Sequence, residues 1–153
     1  MPLPTITGAR TPRHDLPYLF AGQAQKEAFV NEGFARLDAL VQPVVLGERA
    51  APPADPSPGD CYLIADGASG SWTGHDRAIA SRAENQWLYS PPREGARVHD
   101  LASGSLALFT QALGWRRIAA PALPSGGVTQ DSEARAALAA IVAALRTAGV
   151  FSA

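Results

Sequence analysis

The fold is decided by residues 60–119, which read DCYLIADGASGSWTGHDRAIASRAENQWLYSPPREGARVHDLASGSLALFTQALGWRRIA. Short apolar pieces recur there at intervals of about ten residues, and glycine, serine, asparagine, aspartate or proline separates them. The pieces are residues 61–65, 78–80, 87–89, 96–99, 106–110 and 115–119. No helical pattern lies between them, which argues against a parallel sheet. The stretch therefore predicts a small antiparallel β domain, arranged as a meander or a sandwich.

A helix is predicted before these strands, at residues 22–42. Its apolar residues recur at spacings of four, three and four, which places them on one helical face. They are Val30, Phe34, Leu37 and Val41. Pro43 ends the helix, and residues 44–48 are expected to form a short strand. Residues 50–60 hold four prolines, so they predict an extended connector that cannot join a central strand.

A second helix is predicted at residues 131–149, after a hinge at 120–130. Asp131 suits the N-cap position and Gly149 suits the position just past the helix end. Leu138, Ile141 and Leu145 form a narrow stripe of the kind that pairs helices. This stripe is the candidate oligomer seam. The helix either folds back on its own β domain or packs on copies of itself.

The first 20 residues contain four prolines and little periodicity, so they predict an extended arm. The arm is either a frayed end or a strap that docks on a neighbouring subunit through its apolar residues. We therefore expect an α+β chain in four parts. They are an arm at 1–20, a helix plus small β domain at 21–119, a hinge at 120–130, and a helix with a tail at 131–153.

Composition excludes several classes of protein. The chain has 153 residues, enough for one ordinary domain and a tail. A formal net charge of -1 argues against nucleic-acid binding as the main activity. The single cysteine excludes an internal disulfide framework and a cysteine-based zinc site. No apolar run approaches the roughly 18 residues that would span a membrane, and no secretory signal is recognisable.

Several motifs together resemble a domain family of unknown function that occurs in tail-fibre and spike proteins of alphaproteobacterial phages and gene transfer agents. The motifs are LPY at 16–18, GQAQKE at 22–27, NE at 31–32, LDALVQ at 37–42, PGD at 58–60 with Tyr62, GSW at 70–72, GHD at 74–76, IA at 79–80, Trp87 and PREG at 92–95. The resemblance covers about residues 16–118. Cys61 departs from the family pattern, in which a polar or charged residue is more usual before that tyrosine.

The resemblance implies a structural component of a phage-like particle, made in the bacterial cytoplasm and assembled into a spike or fibre that attaches to the host surface. We expect a homo-oligomer, with a trimer favoured over a pentamer, that contacts other particle proteins. The alternative is a carbohydrate-binding module that recognises host polysaccharide directly. A hydrolase acting on that glycan is a third hypothesis. Neither nucleic acid nor membrane insertion is expected.

The candidate glycan contacts are Trp72, His75 and Asp76. An exposed tryptophan stacks on sugar rings, while neighbouring polar groups bond the hydroxyls, and the surrounding SGSWTG segment is rich in turn residues. Two alternatives stay open. Trp72 belongs to the core if the small β domain needs its aromatic residues for packing. Asp76 is a turn residue if its carboxylate bonds nearby backbone amides.

Other candidates for chemistry are weaker. The dipeptides His75-Asp76 and His99-Asp100 suggest a metal or an activated water, but adjacent strand residues point to opposite faces. Cys61 lies in an apolar piece, which favours a buried, inert thiol over a nucleophile. Four arginines suggest a basic patch, but an ordinary solvated face or a salt bridge between subunits is the alternative interpretation. They are Arg93, Arg97, Arg116 and Arg117. The sequence thus predicts no enzyme, no catalytic residue, no cofactor and no metal.

Overall fold

The protein is an α+β chain, as its sequence predicts. The computed structural model describes residues 26–83 and 86–152, with side chains from Val30 onward. Helix α1 spans Lys26–Leu40 and helix α2 spans Ser132–Thr147. The strands are β1 Val44–Val45, β2 Glu48–Arg49, β3 Cys61–Ile64, β4 Ile79–Ala83, β5 Gln86–Ser90, β6 Arg97–Asp100, β7 Ser105–Thr110, β8 Gly114–Ala119 and β9 Phe151–Ser152. The predicted arm at 1–20 lies outside the described residues.

The strands form two sheets, of order β2-β3-β4-β5 and β1-β6-β7-β8-β9. The pairs β3/β4, β4/β5, β6/β7 and β7/β8 are antiparallel, as predicted. The edge pairs β1/β6 and β8/β9 are parallel, which the sequence did not predict. Both edge strands have only two residues and reach the sheet from a distant part of the chain. No hairpin turn in the sequence therefore indicates them.

The chain divides into two compact units. The first holds residues 26–42 and 49–92, apart from 84–85, and the second holds residues 43–48 and 93–152. The sequence predicts one part at 21–119, a helix plus a small β domain, and places the closing helix in a separate part. The structure draws its boundaries elsewhere because each set of consecutive hairpins closes its own sheet. Pro91 and Pro92 stand between the two sets.

The first unit has an aromatic core on one face of its sheet. Register places Tyr62 beside Ala80 and Ala80 beside Tyr89, so these side chains share that face. The buried members of the cluster are Tyr62, Ile64, Trp72, Ala78 and Ala80. Ala68, Trp87 and Tyr89 are half-buried and pack around them. The loop between β3 and β4 thus supplies the central residue of the core, Trp72.

The second unit shows clear alternation along β6 and β7. Val98 and Asp100 are buried while Arg97 and His99 point to the other face, and β7 alternates in the same way. Phe109 and Trp115 pack edge to face, with ring centroids 5.3 Å apart. Alternation of this kind is expected of strands with one covered face. Strands β6 and β7 therefore have one covered face each.

Helix α1 packs on β4 with its polar side rather than its apolar stripe. Arg36 and Ala39 are both 9% exposed. The Arg36 guanidinium forms an ion pair with the Glu32 carboxylate at 3.1 Å, and it donates a hydrogen bond to the Tyr89 carbonyl at 3.1 Å. That second bond fixes the helix against β5, the edge strand of the first unit's sheet. The apolar stripe, which an amphipathic helix normally turns inward, consequently points outward.

Helix α2 begins and ends where the sequence predicts. The Asp131 carboxylate accepts the Ala134 amide at 2.9 Å, which makes it the N-cap. Gly149 has φ of +70° and the Val150 amide donates to the Leu145 carbonyl, a pattern that closes many helices. The Leu106 amide then donates to the Gly149 carbonyl at 2.7 Å, which ties the chain to β7. In the part of the chain described, no helix is long and apolar enough to cross a membrane.

Candidate functional site

The candidate glycan residues lie in the loop that joins β3 to β4, residues 65–78. A short 3-10 turn at Gly70–Trp72 opens the central part of the loop. The Ala68 amide donates to the Asp76 carboxylate at 2.9 Å, and this bond closes the loop across eight residues. The Tyr89 hydroxyl donates to the Ser71 carbonyl at 2.6 Å, which fixes the loop to β5. The loop is therefore held by its own polar groups and by the sheet.

An ion pair at the base of the loop adds to this network. Arg77 has φ of +64° and donates from two nitrogens to the Asp66 carboxylate, at 2.8 and 3.1 Å. These hydrogen bonds lower the pKa of Asp66 below its ordinary value. Both groups are exposed to solvent, where such pairs contribute little to stability. The pair orients the backbone before β4 without creating a reactive group.

Trp72 does not offer a surface for sugar stacking. Its side chain is 0% exposed, and its ring packs against Tyr62 at 5.9 Å and Trp87 at 5.1 Å between centroids. A stacking platform needs one open ring face, and no such face exists here. The glycan-contact assignment is therefore wrong for this residue, and the core alternative is correct. The turn-rich sequence around Trp72 serves to fold the loop over the ring.

His75 and Asp76 remain at the surface of the loop. The His75 ring stacks on Tyr89 with centroids 3.6 Å apart and planes 9° from parallel. Asp76 is exposed, but its Oδ1 atom already accepts the Ala68 amide. The turn function that the sequence left open for Asp76 is thus present. Its role in glycan contact stays a prediction.

The His99-Asp100 dipeptide does not form a chelating pair within the structure. Asp100 is 1% exposed on one face of β6, whereas His99 lies on the other face. Among residues 26–83 and 86–152, no group of three or more histidine, cysteine, aspartate or glutamate side chains is placed to hold a metal ion. Asp100 has a structural partner instead. Its Oδ2 atom accepts Arg117 Nε at 2.5 Å, and its Oδ1 atom accepts the Ala102 amide at 2.9 Å.

Arg117 joins this buried carboxylate to a second acid. Its Nη1 atom donates to Glu48 at 2.7 Å. Burial opposes the charge on Arg117, but the hydrogen bonds from Glu48 and Asp100 outweigh burial, so the pKa of Arg117 is raised. Arg97 and Arg116 lie on the face of this sheet opposite to that of Arg117. Each is paired in register with Leu108 on β7, the strand between them. Within the suggested basic patch, Arg117 therefore does not share a surface with Arg97 and Arg116.

Cys61 is a half-buried thiol at the start of β3. Its Sγ atom lies 3.5 Å from the Gly59 carbonyl. Burial raises the pKa of this thiol, and the Asp38 and Asp60 carboxylates raise it further. An activated nucleophile needs the reverse, because the thiolate is the reactive form. The surroundings of Cys61 match the inert thiol that the sequence favours.

The candidate oligomer seam lies open on α2. Leu138 is 47% exposed and Ile141 is 54% exposed, while Leu145 is half-buried. The buried residue of this helix is Val142, which lies beside the predicted stripe. Residues 121–130 before the helix are exposed throughout. Within the described part of the chain, Leu138 and Ile141 are thus largely uncovered, whereas Leu145 is partly covered.

A second exposed stripe, on α1, was not expected from the sequence. Phe34 is 63% exposed, Leu37 is 41% exposed and Val41 is 64% exposed. Periodicity identified these residues as one face but did not show whether that face is covered. The pairing of Glu32 with Arg36 four residues later is visible in the sequence, yet such pairs usually lie on the solvent side. Nothing in the pattern indicates that this pair faces inward.

Residues 30–116 match a family described as "Protein of unknown function (DUF2793)". This match covers more than half of the chain. The chain belongs to this family. The matched region thus begins within α1 and ends in β8, so it includes the first sheet and strands β1, β6 and β7 of the second sheet, but neither α2 nor β9. No curated protein matches the chain.

Proposed function

We propose that this DUF2793 protein is a structural component of a phage-like particle, a spike or fibre subunit that takes part in attachment to the host cell. The proposal rests on the motifs shared with tail-fibre and spike proteins, and on one feature of the structure. That feature is the exposed seam of α2. It supports assembly of the chain with copies of itself, as a spike or fibre requires.

Among the described residues, helix α2 packs on its own unit chiefly through Val142. A helix of 16 residues is marginal in water when nothing packs against it. Val142 is its buried residue, whereas Leu138 and Ile141 face solvent. The alanines that flank the stripe would allow neighbouring helices to approach closely. We therefore propose that α2 packs on α2 of other copies, as a trimer by preference and as a pentamer in the alternative.

The substitution Ile141→Asp tests this assembly. It places a carboxylate in the proposed seam, where an unpaired buried charge costs several kcal/mol. The matched control is Ala136→Asp, which adds the same charge to an exposed position outside the stripe. We expect multi-angle light scattering to show oligomers for the parent and the control, and monomers for Ile141→Asp, with the same β signal in circular dichroism.

Two results would contradict the seam. If Ile141→Asp stays oligomeric, association uses another surface. If Ile141→Asp and Ala136→Asp dissociate equally, helix charge rather than the stripe is responsible. Electron microscopy of particles that carry a gold label on this chain tests the wider proposal, since a label absent from spikes and fibres would refute it.

The carbohydrate-binding alternative now depends on His75 and Asp76, because Trp72 is buried. The stacked His75 and Tyr89 rings give this alternative its one specific observation. Glycan-array binding that is lost in His75→Ala, with an unchanged melting temperature, would support it. Absence of binding on arrays of bacterial surface polysaccharides would remove it.

A further inference from the structure

Helix α1 presents an apolar stripe to solvent although it has a polar face that is buried. Arg36 fixes the buried side of the helix through its bond to the Tyr89 carbonyl, and it also pairs with Glu32 one turn earlier in the same helix. Rotation of the helix to bury the stripe would break the bond to Tyr89. Three large apolar side chains therefore stay exposed on one face: Phe34, Leu37 and Val41. A contiguous exposed apolar face of this kind is typical of a binding surface.

We propose that this stripe packs against the same stripe of a second copy of the chain, with the two α1 helices antiparallel. Val30, Phe34, Leu37 and Val41 follow the spacing of a two-helix seam. A two-fold axis between residues 34 and 37 would set Phe34 of each copy opposite Leu37 of the other. The same axis would set Val30 opposite Val41. This inference does not rest on the proposed function, because it concerns a different helix.

Residues beside the stripe favour the antiparallel arrangement and identify a second copy as the occupant. In that arrangement Gly33 of one helix lies beside Leu40 of the other, so the large side chain fits where the glycine has none. On the other edge, the Asn31 amide lies beside the Asp38 carboxylate and can donate to it. Each contact occurs twice because the two-fold axis repeats it. The arrangement also explains why a glycine, which weakens a helix interior, stands next to the stripe.

The interface is short, so we expect weak association. The stripe covers about three helical turns, well below the roughly 1,600 Å² buried in a standard protein interface. Cross-linking is therefore the appropriate measurement, since it traps a dimer that dilution would separate. The register of the seam also determines which pairs of positions can be cross-linked.

The experiment uses two single-cysteine variants, Val30→Cys and Val41→Cys, each in a Cys61→Ala background. The two proteins are mixed in equal amounts, oxidised gently, digested with trypsin and analysed by mass spectrometry. Cleavage after Arg36 places the two cysteines on different peptides. We expect the mixed 30–41 disulfide to dominate. A 30–30 disulfide should be rare, because eleven residues of helix separate those positions by about 16 Å, beyond the reach of a disulfide.

Three outcomes would overturn the inference. Dominant 30–30 and 41–41 disulfides would show parallel helices. A random mixture of all three products would show collision without a specific register. No disulfide at all would show that the stripes do not meet. Phe34→Asp in both cysteine variants should lower the yield of the mixed product by roughly tenfold, since it places charges against the apolar partner.

A further variant distinguishes the contribution of the α1 stripe from that of the α2 seam. Repetition of the cross-link in an Ile141→Asp background removes the proposed α2 seam while leaving α1 unchanged. We expect the mixed disulfide to persist there. Its loss in that background alone would show that α1 meets α1 only as a consequence of α2 assembly, which would contradict an independent α1 interface.

Discussion

Apolar side chains are buried in the loop around Trp72 but exposed on the two helices. The loop, rich in glycine and serine, buries its tryptophan completely. The helices, which carry regular apolar stripes, leave Phe34 and Ile141 more than half exposed. Turn-rich segments usually lie at the surface and amphipathic helices usually pack inward. Spacing therefore shows which residues share a face, but it does not show which face is covered.

The difference has a physical basis in the contacts available to each side chain. Trp72 lies over a sheet face that already carries Tyr62 and Trp87, and its ring joins both in one aromatic cluster. In α1 the buried position goes to Arg36, whose long side chain reaches a carbonyl on the edge strand. In this orientation the helix makes a specific polar contact with the sheet, while its apolar stripe stays exposed.

The largest effect is expected from Trp72→Ala, because it empties the centre of the first unit's core. Truncation of a buried aromatic side chain costs about 3–5 kcal/mol of unfolding free energy. Chemical denaturation monitored by circular dichroism measures this loss. A change below about 1 kcal/mol would contradict the burial of the ring.

Trp72→Phe is the matched control. The indole Nε1 atom has no hydrogen-bond partner within the described residues, so its removal breaks no bond. We expect a smaller loss of stability than in Trp72→Ala. An equal loss in both variants would indicate that the indole nitrogen has an important partner.

A smaller effect distinguishes the two faces of α1. Arg36→Ala removes the bond to the Tyr89 carbonyl and leaves that acceptor without its donor, at a cost of about 1–3 kcal/mol. Leu37→Ala, at the neighbouring position, should change stability by less than about 0.5 kcal/mol in dilute protein. Both are measured by thermal denaturation at low concentration. If Leu37→Ala were the more harmful, the stripe would be part of the intrachain core.

The smallest effect concerns the thiol of Cys61. Burial and the nearby Asp38 and Asp60 carboxylates raise the pKa of this group. Its contribution to stability is present below the ordinary thiol pKa and is lost as the pH rises through the raised value. We expect iodoacetamide to alkylate the folded protein more slowly than the unfolded chain at pH 8.5.

Asp38→Asn should accelerate this alkylation, since it removes a negative charge that opposes the thiolate. Asp55→Asn is the control, because Asp55 is exposed and does not contribute to the shift. Equal rates in the two variants would show that α1 does not place Asp38 near Cys61.

Much of the fold was predictable because its signals are local. The predicted strands at 61–65, 96–99, 106–110 and 115–119 lie within about a residue of β3, β6, β7 and β8. Asp131 caps the start of α2 and Gly149 follows its end, as predicted, since capping needs only neighbouring backbone groups. The strand predicted at 44–48 contains β1, but its parallel pairing with β6 and the whole of β9 depend on contacts with distant residues, which no local pattern indicates.

The candidate site was less predictable for the same reason. The composition of SGSWTG indicates a turn, but the position of Trp72 depends on the aromatic residues that β3 and β5 bring together. Asp76 was identified as both a glycan contact and a turn residue, and its bond to Ala68 establishes the second role. The buried face of α1 makes a bond between residues 53 positions apart. A pattern within a single helix cannot contain that information.

The attachment of α2 to the sheet determines where a foreign sequence can be inserted. After the helix, the chain returns at once to the sheet, where β9 pairs with β8 and Gly149 accepts a bond from Leu106. A tag at that point would have to displace paired backbone. Before the helix, residues 121–130 are exposed and belong to no strand or helix. An epitope inserted at residues 121–123, ahead of the carbonyls of Pro124 and Gly126 that bond Arg135, would mark the protein for microscopy without interrupting a strand or a helix.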